Sequence, residues 1–513
     1  MKFMMRRRLQ ALSPWAFWGL AAVAFWATTE TAQAVPQRDR VSAAGYLRVM
    51  ARPDFQGGGS RLGLWNINGR LLNEGPYGAL ELKLDALPRV PGASDPWTSI
   101  HAKIEGDGLL AAEPGNGRLD AFRLSQLYVK AGNLLAEDLV FIMGTLHTYW
   151  GDLGLYDMRP SDLFFDTVGL AARYQTASME LMAGVGDAGY SLHGDRYNTV
   201  LTAGATAKIR PMNGVEVGLG GQVYFERGVE GSRFAPHRTP LPDTLDYADY
   251  ARGELTERFF AENPNRIDDF PRPDPTDVSS YKLVGYLGFG GFGPLQWNSL
   301  YVNYLQRHPE GFYTEQYQGR DYAVYLAELT DERTEFNLGN QLQLTIVPQL
   351  ADLAVGFLYG RHRDADDSVT ASERNRTIWS TVLRGQVYLT PTLHFLTEYS
   401  YAEEHSEQGN LWRGHFDSVF ESKGGLADSE GFEFGDLDTR QTWQFKAGFV
   451  LNPTGRGIFT RPSLRLIYGL QNSNMHSAFG NAFSQTLSDF EQFRETGDRH
   501  THALVALEAE AWF

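Results

Sequence analysis

Counting back from Phe513 in twos gives Ala511, Ala509, Leu507, Val505 and Ala503. The other parity gives Trp512, Glu510, Glu508, Ala506, Leu504 and His502. A strand sends alternate side chains to opposite faces. Residues 501–513 therefore read as a strand with one wholly apolar face and one face bearing two carboxylates, an imidazole and an indole. An apolar row that closes on an aromatic suits a strand laid against lipid, where aromatics ring the interface. The expectation is a chain whose solvent on one side is the membrane.

The opening residues agree. Lys2, Arg6, Arg7 and Arg8 form a basic stretch, Trp15 to Ala27 is apolar, and Ala32-Gln33-Ala34 gives an A-x-A cleavage site. Those 13 apolar residues fall short of the roughly 20 that a spanning helix needs. Residues 1–34 are expected to be a signal peptide, and 35–513 one barrel domain. The leader holds four basic residues and one acid, so 46 Lys+Arg against 62 Asp+Glu becomes 42 against 61, a net −19. That balance argues against nucleic acid as a partner. With no cysteine, thiolate chemistry and disulfides are excluded.

Alternation recurs along the chain. Leu47 and Val49 oppose Tyr46 and Arg48, while Leu342, Leu344 and Ile346 oppose Gln341, Gln343 and Thr345. Leu393, Phe395, Tyr399 and Tyr401 oppose His394, Glu398 and Ser400, and Phe445, Ala447, Phe449 and Leu451 oppose Gln444, Lys446 and Gly448. A small and polar second face is the lumen face of a wide barrel. Connections alternate in length. Short turns fall at Arg210–Gly214, Pro348–Ala351, Thr390–Thr392 and Asn452–Gly457, and long polar segments at Glu226–Ser279, His405–Asp438 and Asn472–Asp498. The fold expected is all-β: a transmembrane antiparallel barrel of about 18 strands in the bacterial outer membrane.

Several segments resemble the maltoporin-like, carbohydrate-selective porins. They are Gly45-Tyr46-Leu47-Arg48, Arg70–Glu74 with Glu81–Leu84, Ala121-Phe122-Arg123 followed by Met143–Leu170, Thr381–Tyr401 and Phe459–Gly469. The resemblance implies a homotrimer of barrels with an inward-folded third loop, passing sugars or oligosaccharides. It implies an aromatic track with Tyr46 and Trp512 at its ends, and a polar girdle of Arg48, Arg70, Arg123, Asp152, Asp157 and Asp162. Arg159 stands where the family has a tyrosine, Leu389 where it has a tryptophan, Trp150 where it has an arginine, and another track tyrosine falls near Ala79. With Arg159 added to the substrate-binding set, acidic sugars join neutral ones as expected solutes, and the alternative is a general or acidic-polysaccharide (alginate-type) outer-membrane channel. A surface adhesin or receptor barrel is the further alternative.

No catalytic constellation is expected. His147, His394 and His502 lie among many Ser and Asp residues, but no short motif joins them. No cofactor or metal is expected either. The acids at Asp268, Asp269, Asp364, Asp366 and Asp367 lack EF-hand spacing and read as solvated loop charge. Losing the Phe513 ring is expected to harm assembly more than Glu510→Ala does.

Overall fold

The computed structural model describes residues 40–51, 65–74, 76–89, 94–107, 122–189, 199–226, 278–307, 312–317, 320–325, 333–364, 376–405, 439–474 and 501–513. The signal-peptide residues and most of the long polar segments lie outside them. The first half of the wall is β1 (Val41–Ala51), β2 (Tyr77–Leu87), β3 (Trp97–Asp107), β4 (Arg123–Gly132), β5 (Leu139–Thr148), β6 (Leu163–Gln175), β7 (Met179–Asp187), β8 (Val200–Met212) and β9 (Val215–Glu226). Next come β10 (Val278–Phe292), β11 (Leu295–Arg307), the short β12 (Phe312–Tyr317) and β13 (Arg320–Tyr325), β14 (Arg333–Val347) and β15 (Ala351–Asp364). The wall ends with β16 (Arg376–Tyr388), β17 (Leu393–His405), β18 (Thr439–Leu451), β19 (Ser463–Ser473) and β20 (Thr501–Trp512).

Eighteen of these strands form one antiparallel sheet, each bonded to its neighbours in chain order; β12 and β13 form a separate hairpin. The sheet closes because β1 pairs with β20 as well as with β2, with Tyr46 opposite Trp512 and Arg48 opposite Glu510. Phe513 extends the seam: its N–H donates to the Gly45 carbonyl at 3.0 Å and its carbonyl accepts from the Gly45 N–H at 2.8 Å. Closure leaves no strand edge in the wall, which a spanning sheet requires in lipid.

The two faces follow the alternation. On β19, Leu464, Leu466 and Tyr468 are exposed while Arg465 and Ile467 are buried. On β17 the pattern is equally regular, with His394, Glu398, Ser400 and Glu404 turned inward. Outward aromatics meet across strands, as in Trp379 with Tyr401 at 5.0 Å and Phe336 with Tyr359 at 6.3 Å between ring centroids. Toward the short-turn rim Phe395 meets Phe449 at 5.4 Å. An apolar exterior banded by aromatics around a polar interior is the outer-membrane barrel.

Two segments fill one side of the interior. Residues 149–162, joining β5 to β6, bury Trp150, Leu153, Leu155 and Tyr156 against β9, β11 and β14–β16. Wall glycines make the room: a Cβ on Gly218 would meet the Trp150 ring at 2.8 Å, and one on Gly356 the Tyr156 ring at 2.7 Å. The second segment, residues 65–74 between β1 and β2, includes a 3-10 turn at Trp65–Asn68. Its Leu71 and Leu72 pack on Leu396, Val450, Ile467, Leu504 and Ala506. The two segments meet where the Arg70 N–H donates to the Leu155 carbonyl at 2.7 Å. Beneath them, Lys446 and Arg384 flank Glu398 at 2.7 and 2.5 Å on the buried wall.

Candidate functional site: a charged cavity on one wall

A cavity of about 730 Å³ lies along β1–β7 and β20, opposite the filled side. Alternation on β1 aims Tyr46 and Arg48 into it, and alternation on β20 aims Trp512 beside them. Trp512, Tyr46 and Tyr77 form a short aromatic run, with ring centroids 4.9 and 5.8 Å apart. Ala79, where the resemblance expects a ring, also lines the wall, and Tyr77 supplies the ring from two residues earlier.

Arg70 is the hub of the charge. It donates to Glu510 at 2.6 Å and to the Tyr46 hydroxyl at 3.0 Å, and lies 3.4 Å from Glu74 and 3.9 Å from Asp157. Arg48 is ion-paired with Glu74 and lies 4.0 Å from Asp157. Glu510 accepts Tyr46 at 2.7 Å and pairs with Arg461 at 2.6 Å and Arg465 at 2.8 Å. Burial alone would make Arg70 less basic, but Glu510 and Glu74 hold its guanidinium firmly ionised. Burial pushes the Glu74 carboxyl up to about 7, against the pull of Arg70 and Arg48. Burial also opposes the charge on Asp157, yet Arg70, a hydrogen bond with Glu74 and Arg48 together hold it below its ordinary value.

The opposite side of the cavity carries Arg159 and the β4–β5 wall. The Arg159 guanidinium lies over the Tyr149 ring at 4.6 Å. His147 packs on Tyr149 and Phe165 and pairs with Asp162 at 2.7 Å. Lys130 lies over Tyr128 at 5.3 Å, with His101 stacked on the same ring at 4.7 Å. Among the described residues, neither Arg159 nor Lys130 has a carboxylate within ion-pair distance, whereas Lys103 pairs with Glu105 and Arg173 with Glu180, each at 2.6 Å.

Eight of the nine residues singled out in the sequence border this cavity: Tyr46, Arg48, Arg70, Asp152, Asp157, Arg159, Asp162 and Trp512. Arg123 does not. It is the exposed first residue of β4, opposite Glu105, beyond a bulge between Lys103 and Ile104. Lys103, Lys130, Arg173, Tyr128, Tyr149 and His147 join the lining without having been anticipated there. Strand parity was available for Tyr128 and Lys130, but nothing in the sequence placed β4 beside β5 around a one-sided cavity. Leu389 is an exposed turn residue, and Trp150 is buried in the wall packing.

A pH effect follows from Glu74. As pH falls through about 7, Glu74 takes up a proton and the site loses one negative charge, so passage of anions is expected to gain over cations. The bound proton is held more tightly in the fold than in the unfolded chain. This stabilisation is therefore complete below the ordinary carboxylate value and fades as pH rises to about 7, at no more than about 1.4 kcal/mol per unit. Glu74→Gln should flatten the pH dependence of ion selectivity measured by reversal potential. An unchanged profile would place the titrating group elsewhere.

No family model matches the sequence, and no curated protein is detectably similar to it. Among solved structures, OccK10 (OpdN) of Pseudomonas aeruginosa is similar at 12% identity and a TM-score of 0.42, covering 93% of this chain and 99% of its own. OccD3 (OpdP) of the same organism is similar at 10% identity and a TM-score of 0.39, covering 93% and 91%. A loop-deletion mutant of OmpT, an outer membrane protein of Vibrio cholerae, is similar at 8% identity and a TM-score of 0.36, covering 92% and 99%. The closed wall, girdled exterior and polar interior make this chain an outer-membrane barrel built around a charged, aromatic-lined cavity.

Proposed function

We propose that the barrel is a porin giving facilitated diffusion of sugars and short oligosaccharides, assembled as the homotrimer that the maltoporin resemblance implies, with the Arg48–Arg70–Arg159 region as its narrowest section. The observation that carries this reading is the run Trp512–Tyr46–Tyr77 set beside Arg48, Arg70 and Asp157. Pyranose rings have an apolar C–H face and a rim of hydroxyls, so rings on one side and charged hydrogen-bonding groups on the other hold them. Holding must stay weak enough for release.

Acidic sugars are favoured beside neutral ones. Six cations and four carboxylates line the cavity, although the chain as a whole is net −16. The lining sets the field a solute meets, because charges beyond about one Debye length, ~8 Å, are screened. Arg159 presents its planar fork on the Tyr149 face, suited to a uronate carboxylate over a ring.

The test is block of single-channel current by added sugars in a planar bilayer. Trp512→Ala should shorten the residence of a blocking oligosaccharide by roughly 3- to 10-fold, the worth of one ring contact. Arg159→Tyr should weaken block by uronate-bearing sugars while sparing neutral ones. Unaltered block by both sugar classes in both variants would reject the reading.

A further inference from the structure

We propose that Arg361 and Arg363 hold the phosphate of an anionic lipid headgroup in the outer leaflet of the membrane. The two stand at the end of one outward row. On β15 that row reads Ala351, Leu353, Val355, Phe357, Tyr359, Arg361 and Arg363, while Ala354, Gly356, Leu358 and Gly360 are buried toward the interior. It passes from aliphatic to aromatic to cationic toward the rim of the long connections, which outer-membrane barrels turn outward. Tyr359 belongs to the aromatic band at that rim, meeting Phe336 at 6.3 Å. A strand rises about 3.4 Å per residue and tilts roughly 40° in such a wall. Arg361 therefore lies about 5 Å and Arg363 about 10 Å beyond Tyr359 along the membrane normal. Headgroups occupy about 5–8 Å on each side of the hydrocarbon. The pair brackets that layer.

Both arginines are exposed, and among the described residues neither has a carboxylate within ion-pair distance. Their neighbours in register supply no counter-charge. Arg361 stands opposite Phe336 on β14 and Thr377 on β16, and Arg363 opposite Thr334 on β14. His405 on β17 is opposite Thr377 and meets the Thr439 hydroxyl at 2.8 Å. Glu403, one outward position lower, is opposite Trp379 and accepts Tyr401 at 3.0 Å and Gln441 at 3.1 Å. Two guanidiniums on one face, about 7 Å apart by strand rise, repel each other unless an anion lies between them. A phosphate monoester carries up to about two charges and three acceptor oxygens, so it can take a fork from each arginine. Basic residues beside a membrane are drawn to anionic headgroups in this way. The acyl chains of such a lipid would lie on Phe357 and Val355, next in the same row. The inference is independent of the solute carried.

Because the chain has no cysteine, one introduced thiol can carry a fluorophore at a chosen point of the wall. Phe357 lies two outward positions below Arg361, and Leu466 is an outward residue of β19; they are 39% and 52% exposed. Labelled Phe357→Cys and Leu466→Cys barrels are placed in phosphatidylcholine vesicles at physiological ionic strength. The vesicles contain either brominated phosphatidic acid or brominated phosphatidylcholine, whose acyl bromines quench a label they touch. At Phe357→Cys, phosphatidic acid is expected to be enriched roughly 5-fold for one engaged arginine and up to about 30-fold for both, the scale of basic residues at an anionic surface. At Leu466→Cys neither lipid should be preferred. Adding Arg361→Gln and Arg363→Gln should abolish the preference at Phe357→Cys, with the heat-resistant barrel still formed. Equal quenching by the two lipids at Phe357→Cys, the same preference at both labels, or a preference that survives both glutamines would overturn the proposal. Excess inorganic phosphate should leave the preference standing. Its loss would mean a site for free phosphate open to water, and would overturn the proposal too.

Discussion

Glu510→Ala should destabilise the barrel by about 3–5 kcal/mol, because it strips the shared partner from three buried cations. Glu510 is 1% exposed and joins Arg70, Arg461 and Arg465, while the Tyr46 hydroxyl also donates to it. Burial and the neighbouring Arg465 push the Arg461 guanidinium down to about 10 even with Glu510 present. Without the carboxylate, three guanidiniums lie together with Glu508, Glu74 and Asp157 as the remaining acids. Glu510→Gln keeps an acceptor for one of them and should cost less. The measurement is the unfolding midpoint of the folded barrel in detergent and urea. An alanine variant with the parent's midpoint would show that the network contributes no net stability. Assembly is a separate measurement: for the yield of heat-resistant barrel, changes at Phe513 are still expected to cost more than Glu510→Ala. Phe513 is 67% exposed, its ring covers Gly45, and its backbone exchanges two hydrogen bonds with Gly45 at the seam.

Tyr156→Ala should enlarge the conducting path several-fold in single-channel current, while heat-resistant barrel still forms. Tyr156 is fully buried, its ring lies on Gly356, and its hydroxyl is 3.1 Å from the Ser380 hydroxyl. Removing a buried aromatic of this kind costs about 3–5 kcal/mol. That loss falls on the attachment of residues 149–162 to the wall, since the strand ladders do not pass through Tyr156. Conductance identical to the parent would mean that the segment does not limit the path. The Gln341 side chain, which accepts the Leu155 N–H at 2.8 Å, gives a second point of attack on the same contact.

The wall was legible because lipid and lumen impose opposite demands on neighbouring residues. Tyr46 and Trp512 could be assigned to the lumen from parity alone, and they face each other across the seam. The count of about 18 strands followed from the alternation of short and long connections. The partners of the charged residues were not legible. Glu74 sits four residues after Arg70 in a turn, and no periodicity reveals that the turn lies inside the barrel against Leu396 and Val450. Arg465 and Arg461 were visible only as part of a family-like stretch, and their tie to Glu510 depends on β19 and β20 being neighbours. Arg123 fell away from the cavity because it is the first residue of β4, paired with Glu105 past the cavity's lining, and alternation does not show how far along its strand a cavity runs.

The one-sided filling divides the inner wall into two kinds of surface. Among the described residues, those bordering this cavity come from β1–β7, the end of β20 and the two inward segments. Drift at Lys130 or Arg159, which have no ion-pair partner among the described residues, would thus change the cavity's lining without stripping a partner from a buried carboxylate. Drift at Glu398, Lys446 or Gln471, all buried under the filled side, would be felt as lost folding with no gain in selectivity. Half of the cylinder is free to diversify because the other half holds the shape.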